Sequence, residues 1–178
     1  MLAYPVPMQT LPPPADDAIA HSAHLREIIQ EQLIAAGGSL PFWKFMELAL
    51  YAPGLGYYSA GATKFGRGGD FVTAPEVSPL FAACVADALT PVLRQLGPEA
   101  QFMEIGGGSG AFAETALAKL LANDALPARY AILEPSADLR ERQRERLQSR
   151  LPPLLFELVE WLDGPIQDPW NGVLFANE

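Results

Sequence analysis

The sequence predicts an α/β fold, a parallel doubly wound sheet preceded by a helical N-terminal segment, and three observations predict it. After Gly97-Pro98 the spacing of apolar residues changes from helical to alternating. From there the chain reads strand, helix, strand, helix, strand, the order that builds a parallel sheet covered by helices. Four glycines, Gly106, Gly107, Gly108 and Gly110, then fall between the first of these strands and the first helix. Glycine loses more backbone freedom on folding than any other residue, so such a cluster implies a sharp turn and main-chain N–H groups brought close to a ligand.

Taken in order, residues 1–15 are proline-bearing and read as an extended lead-in. From His21 to Ala36, Leu25, Ile28, Ile29, Leu33 and Ala36 recur at helical spacing, and Gly37-Gly38 is a stop signal. A second helix follows with Pro41 in its first turn and Phe42, Phe45, Met46, Ala49 and Leu50 on one face, ending before Pro53-Gly54. The glycine-rich stretch GLGYYSAGATKFGRGGDFVTAPEVS is too long for a plain connector and reads as a functional or ordered loop. Ser78-Pro79 starts a third helix, whose face is predicted to include Leu80, Phe81, Cys84, Val85, Ala88 and Leu89, with Pro91 kinking or ending it. Beyond residue 98, QFMEI, RYAILEP, LLFELVEW and GVLFANE read as strands, and SGAFAETALAKLLAN and SADLRERQRERLQSRL as helices. The organisation is thus a lead-in (1–15), a helical segment with the GGDF loop (16–97) and the N-terminal part of a Rossmann-like unit (98–178). A parallel sheet needs both faces covered, and nothing follows GVLFANE to do so, which predicts a fragment of a longer protein.

Composition narrows the function. The chain has 178 residues, 49% hydrophobic and 19% charged, enough for a packed core. A net charge of −9 with no basic stripe argues against a nucleic-acid partner, and a basic protein substrate fits the sign better. No stretch reaches the ~18 apolar residues of a membrane span. The lead-in lacks the marks of a signal or transit peptide, and a single cysteine excludes a disulfide framework, so the expected location is cytoplasmic. Cys84 is expected to be a buried small hydrophobe, and His21 and His24 to be solvated near a helix start. One cysteine and two histidines make no zinc-type ligand set, and no metal is expected.

Three ligands compete for the glycine loop. A P-loop needs a lysine followed by Ser or Thr after its last glycine, and neither is present. The dinucleotide pattern GxGxxG/A is met by Gly106, Gly108 and Ala111, so an NAD(P)-dependent oxidoreductase stays open as an alternative. Glu104, two positions before the first glycine, favours a third ligand: a carboxylate there would repel a pyrophosphate and suit a cation. S-adenosyl-L-methionine carries a sulfonium and an ammonium. Glu134 closes the next strand 24 positions after Gly110 (134 − 110), near the ~20-residue offset at which an acid meets ribose hydroxyls.

The segments GRGGDFVTAPEVSPLF (66–81), MEIGGGSGAFA (103–113), YAILEPSADLRERQ (130–143) and the terminal FANE, with FWKFMELALYAPGLGYY before them, resemble the MidA-like family. Those proteins are class I methyltransferases dependent on S-adenosyl-L-methionine, and their mitochondrial members are arginine methyltransferases needed to assemble respiratory complex I. The resemblance covers about residues 22–178 and implies a Rossmann-like methyltransferase sheet, incomplete here because family members continue past the NE dipeptide. It implies S-adenosyl-L-methionine as cofactor and a protein arginine as acceptor. On that reading Gly106, Gly107, Gly108 and Gly110 give close approach, Ser109 meets the cofactor carboxylate, Glu104 faces its ammonium end, and Glu134 holds its ribose. Gly68-Gly69 allows a tight turn, Phe71 anchors the loop, and Asp70 and Thr73 offer hydrogen bonds where it closes over cofactor or acceptor. Glu178 is the candidate base for the arginine, with Asn177 orienting the acceptor or the methionine portion. The charged run LRERQRERLQSR reads as a solvated helix face without function. The competing reading is a truncated module that binds the cofactor or a partner without turnover. Oligomeric state is not legible.

Overall fold

The structure, a computed structural model, describes residues 13–60 and 72–177. Helix α1 (Asp16–Ala35) starts five residues before the predicted His21, because Asp16 and Asp17 extend its first turn where negative charge suits the helix dipole. Helix α2 (Phe42–Tyr51) follows, with Pro41 as its N-cap rather than in its first turn. A short helix α3 (Ala74–Val77) precedes α4 (Pro79–Leu96), whose N-cap Ser78 accepts a hydrogen bond from the Leu80 N–H at 3.1 Å.

Two expectations about α4 are corrected. Of the two expected effects of Pro91, kinking or ending the helix, ending does not occur: the helix runs on to Leu96. Pro91 and Asp87, whose carbonyl would have accepted the missing N–H, both lie on the exposed face where water can satisfy it, while Leu93 beyond is buried. Cys84 is exposed. The buried stripe is Ala82, Ala86, Thr90 and Leu93, and Cys84 stands two residues from both alanines, about 200° around the helix axis. Small alanines let α4 approach α5 closely, so the larger apolar residues do not mark the innermost line.

Strand β1 (Gln101–Ile105), helix α5 (Ala111–Ala122), strand β2 (Arg129–Leu133), helix α6 (Ala137–Arg150), helix α7 (Pro153–Phe156), strand β3 (Val159–Leu162) and strand β4 (Gly172–Ala176) complete the order. The stretch LLFELVEW is therefore half helix and half strand. Pro153 presets the first turn of α7, Leu155 is buried, and the extended chain begins only at Val159. The four strands pair in parallel in the order β3-β2-β1-β4, with Phe102 opposite Tyr130 and Val173. This is the predicted α/β class.

The core lies between the sheet and the helices α4 and α5. Phe102, Phe112, Leu117, Leu120, Tyr130, Ile132 and Leu147 are all within 3% of full burial. Phe102 stacks on Tyr130 with ring centroids 4.9 Å apart, and Phe112 on Phe175 at 4.1 Å. Of these rings, Phe112 and Phe175 reach the cavity at the C-terminal ends of the strands. Helices α1 and α2 bury none of their residues, so the predicted apolar face of α1 does not reach the core.

Candidate cofactor site

A cavity of about 460 Å³ opens at the C-terminal ends of β1, β2 and β4, where open parallel sheets place ligands and within the size range of small-molecule pockets. Its base is the glycine loop. Gly106, Gly108 and Gly110 have φ of +71°, +54° and +81°, which other residues adopt only with strain. Gly107 is required for a different reason: a Cβ there would stand 2.9 Å from Ile132 Cγ2 and 3.1 Å from Gln143 Nε2. Gly110 is the N-cap of α5, so the loop delivers the chain directly into that helix.

Glu104, 3% exposed, stands on β1 just before the loop and accepts a 2.8 Å hydrogen bond from the Tyr130 hydroxyl. Burial pushes its pKa up to about 7; the Tyr130 bond offsets part of this, and the neighbouring Glu134 adds to it. Before the loop, then, stands a carboxyl whose ionisation is shifted towards neutral pH by its burial. Glu134, also buried, directly follows β2. It accepts from the Ser136 N–H at 3.0 Å and from Gln143 Nε2 at 3.3 Å, and burial raises its pKa while these bonds lower it.

Other predicted residues converge on the same space. Thr73, Gly106, Gly107, Gly108, Ser109 and Asn177 line the cavity with the two acids, while Gly110 acts from behind as the cap of α5. The Ser109 hydroxyl donates to Glu76 on α3 and accepts from Arg146 Nη1 at 3.3 Å; Arg146 is in turn paired with Glu114 at 2.7 Å. Asp70 and Glu178, with Gly68, Gly69 and Phe71, lie outside the described residues. His21 is not simply solvated, since its Nε2 lies 2.8 Å from the Leu55 carbonyl oxygen.

Sequence reasoning missed four contributors. Glu76 reaches the cavity because T-A-P-E forms a helical turn with proline early and the acid in the first turn, a helix-start signal that was present to be read. Tyr51 and Tyr58 line it from the end of α2 and the turn beyond. Gln143, fully buried in the supposedly solvated run of α6, donates to the Gly108 carbonyl at 2.9 Å and accepts from Trp161 Nε1 at 2.9 Å. It ties glycine loop, β2 acid and β3 together, and its only sequence signal is its place as the uncharged residue among arginines and glutamates.

Three carboxylates, Glu76, Glu104 and Glu134, thus face one cavity whose lining includes no lysine, arginine or histidine among the described residues. Such a site accepts cations and hydroxyl donors and disfavours phosphates. Also among the described residues, no group of three or more His, Cys, Asp or Glu side chains is placed to hold a metal ion, and no helix is long and apolar enough to cross a membrane.

The chain matches, over residues 84–178, a family model described as "Putative S-adenosyl-L-methionine-dependent methyltransferase". It is 33% identical over 117 residues to the mitochondrial protein arginine methyltransferase NDUFAF7 homolog of Drosophila melanogaster, a match covering 64% of this chain and 26% of that protein. The corresponding protein of Caenorhabditis elegans is 30% identical over 105 residues, 56% of this chain and 24% of that one. A crystallised Burkholderia thailandensis protein bound to S-adenosyl-homocysteine superposes with a TM-score of 0.79 at 43% identity, covering 94% of this chain and 43% of that chain. A native structure from the same organism gives 0.75 at 40% identity, covering 94% and 41%. The matched part spans about a quarter of the curated relatives and about two fifths of the crystallised ones. With the family model matched over more than half its length, the chain belongs to the family of S-adenosyl-L-methionine-dependent methyltransferases.

Proposed function

We propose that this chain is the cofactor-binding part of a methyltransferase that takes S-adenosyl-L-methionine and methylates protein arginine. The observation that carries the reading is the cavity lining: three carboxylates and no basic side chain among the described residues, around a glycine loop at the ends of the strands. A dinucleotide would bring a pyrophosphate against those acids with no cation among the described lining residues to offset them. The crystallised relative bound to S-adenosyl-homocysteine and the curated relatives named as protein arginine methyltransferases support cofactor and acceptor class respectively.

The residues fit a nucleoside carrying a positive charge. Glu134 offers its free lone pairs to the vicinal ribose hydroxyls, which also excludes a 2′-phosphate. Glu104, poised near pH 7, becomes the counter-charge for the ammonium end. Gly106 and Gly108 hold the loop in left-handed turns that let the ligand approach the main chain. Ser109 and Thr73 border the same space, and Gly107 packs the loop onto β2.

When bound, the sulfonium supplies an already activated methyl group. The chain's work is then to orient donor and acceptor and to exclude water. An arginine acceptor would arrive protonated, so a carboxylate would have to fix one guanidinium nitrogen in line and accept its proton as the N–CH3 bond replaces the S–CH3 bond, with S-adenosyl-homocysteine as the leaving group. We assign that base role to Glu178 and the orienting role to Asn177, which follows β4, with Asp70 as a further acceptor-side hydrogen-bonding residue. A cytoplasmic location belongs to the same proposal.

The test is incubation with S-adenosyl-L-methionine and arginine- or lysine-containing peptides, followed by mass spectrometry. Mass increments of one methyl on arginine alone support the reading. Methylation confined to lysine overturns the acceptor assignment, and cofactor binding without any transfer favours the non-catalytic module.

A further inference from the structure

The turn that follows α2 is built with unusual tightness. Leu55 and Gly56 N–H groups bond to the Ala52 carbonyl at 3.0 and 2.7 Å, Tyr57 N–H to Ala49 at 2.9 Å and Tyr58 N–H to Leu50 at 2.8 Å, so the chain doubles back over the last turn of the helix. Only glycine fits at 56, where a Cβ would lie 2.5 Å from the backbone nitrogens of Tyr51 and Ala52. The doubling-back stacks Tyr58 on Tyr51, with ring centroids 5.6 Å apart and planes at 25°.

The pair is fastened to the sheet. Ser136, fully buried, donates its hydroxyl to the Tyr58 carbonyl at 2.6 Å and its N–H to Glu134 at 3.0 Å. One residue therefore positions both the tyrosine turn and the acid that directly follows β2. Both tyrosines line the cavity, and the Glu134 charge, after burial, raises the pKa of the Tyr51 hydroxyl, which places that ring within electrostatic reach of the acid.

We propose that Tyr51 and Tyr58 form an aromatic wall packed against the nucleoside end of the cofactor, so that the turn after α2 is part of the ligand site. The inference rests on the methyltransferase reading above and deepens it. Direction comes from the sheet: β2 and β4 flank β1 on opposite sides, and the tyrosines stand beside Glu134 at the β2 end, away from Asn177 at the β4 end. An aromatic face there meets ribose and adenine, and the sulfonium falls nearer the glycine loop. Base stacking on such a ring tolerates loss of the hydroxyl but not of the ring.

Calorimetry of the wild-type protein, Tyr51→Phe and Tyr51→Leu with S-adenosyl-L-methionine, S-adenosyl-homocysteine and adenosine tests it. The expected result is a loss of about tenfold for all three ligands in Tyr51→Leu, the scale of one stacked base, and unchanged affinities in Tyr51→Phe. Unchanged affinities in Tyr51→Leu overturn the wall while leaving the methyltransferase reading intact. A loss confined to S-adenosyl-L-methionine also overturns it, placing the rings at the sulfonium as a cation–π contact. A wild-type protein that binds none of the three fells the methyltransferase reading and this inference together. Should Tyr51→Leu not fold, nuclear Overhauser contacts between adenine protons and either tyrosine ring in the wild-type S-adenosyl-homocysteine complex decide the matter: their presence supports the wall and their absence overturns it.

Discussion

The β1–α5 region and the α1–α2 segment are both rich in large apolar residues, yet they use them in opposite ways. Around β1 and α5, Phe102, Phe112, Leu117 and Leu120 are at most 3% exposed and interlock across the sheet. On α1 and α2, Ile34 is 77% exposed, Phe42 74% and Trp43 67%, and no residue of either helix is buried. The end of α2 and the turn after it engage the sheet region through the Tyr58 carbonyl and Ser136. Apolar periodicity therefore marks a helix in both regions but a core in one. What separates them is a second surface to pack against, and periodicity within a single segment does not carry that information.

The comparison is broken most severely by deleting a ring from the core. Phe102→Ala should cost about 3–5 kcal/mol in chemical denaturation, since it leaves a cavity bounded by Tyr130, Phe112 and Phe175.

The next effect is a pH dependence. Glu104 has a folded pKa raised from 4.5 to about 7, so the stability it allows is fully present below pH 4.5 and is lost as pH rises through about 7. Melting temperatures of the ligand-free protein should fall over that window, and Glu104→Gln should flatten the slope; a slope unchanged in the variant would mean that other groups, Glu134 first among them, produce it.

Gly106→Ala should cost about 1 kcal/mol, because the position demands φ of +71° while an added Cβ meets no atom within 4 Å. A melt identical to wild type would show that the loop relaxes. The smallest effect belongs to the other region: Trp43→Ser should change stability by less than about 0.5 kcal/mol, and a larger loss would show that α2 is packed more firmly than its exposure indicates.

The fold class was legible because strand and helix periods alternate cleanly after residue 98 and glycines punctuate them. The glycine loop and Glu134 were legible from their spacing, and they line one cavity. Position along a helix was harder to read. Cys84 fell on the wrong face because α4 packs through Ala82 and Ala86, and Gln143 was hidden because its neighbours on α6 are almost all charged. Pro91 does not end α4, since its missing N–H leaves only the Asp87 carbonyl unpaired, on an exposed face where water can satisfy it. The charge state of Glu104 follows from burial against Tyr130 and Glu134, partners 26 and 30 positions away, which no local pattern reveals.

The claim on which the rest depends is that a cavity rich in carboxylates, with no basic lining among the described residues, selects an adenosyl ligand bearing an ammonium over a dinucleotide. Titration calorimetry of the wild-type protein with S-adenosyl-homocysteine and with NAD, each from pH 6 to pH 8 around the Glu104 titration near 7, measures this directly. The account predicts that S-adenosyl-homocysteine binds, more tightly as pH rises and Glu104 ionises against its ammonium, while NAD does not bind. Tight NAD binding with no response to S-adenosyl-homocysteine would contradict it.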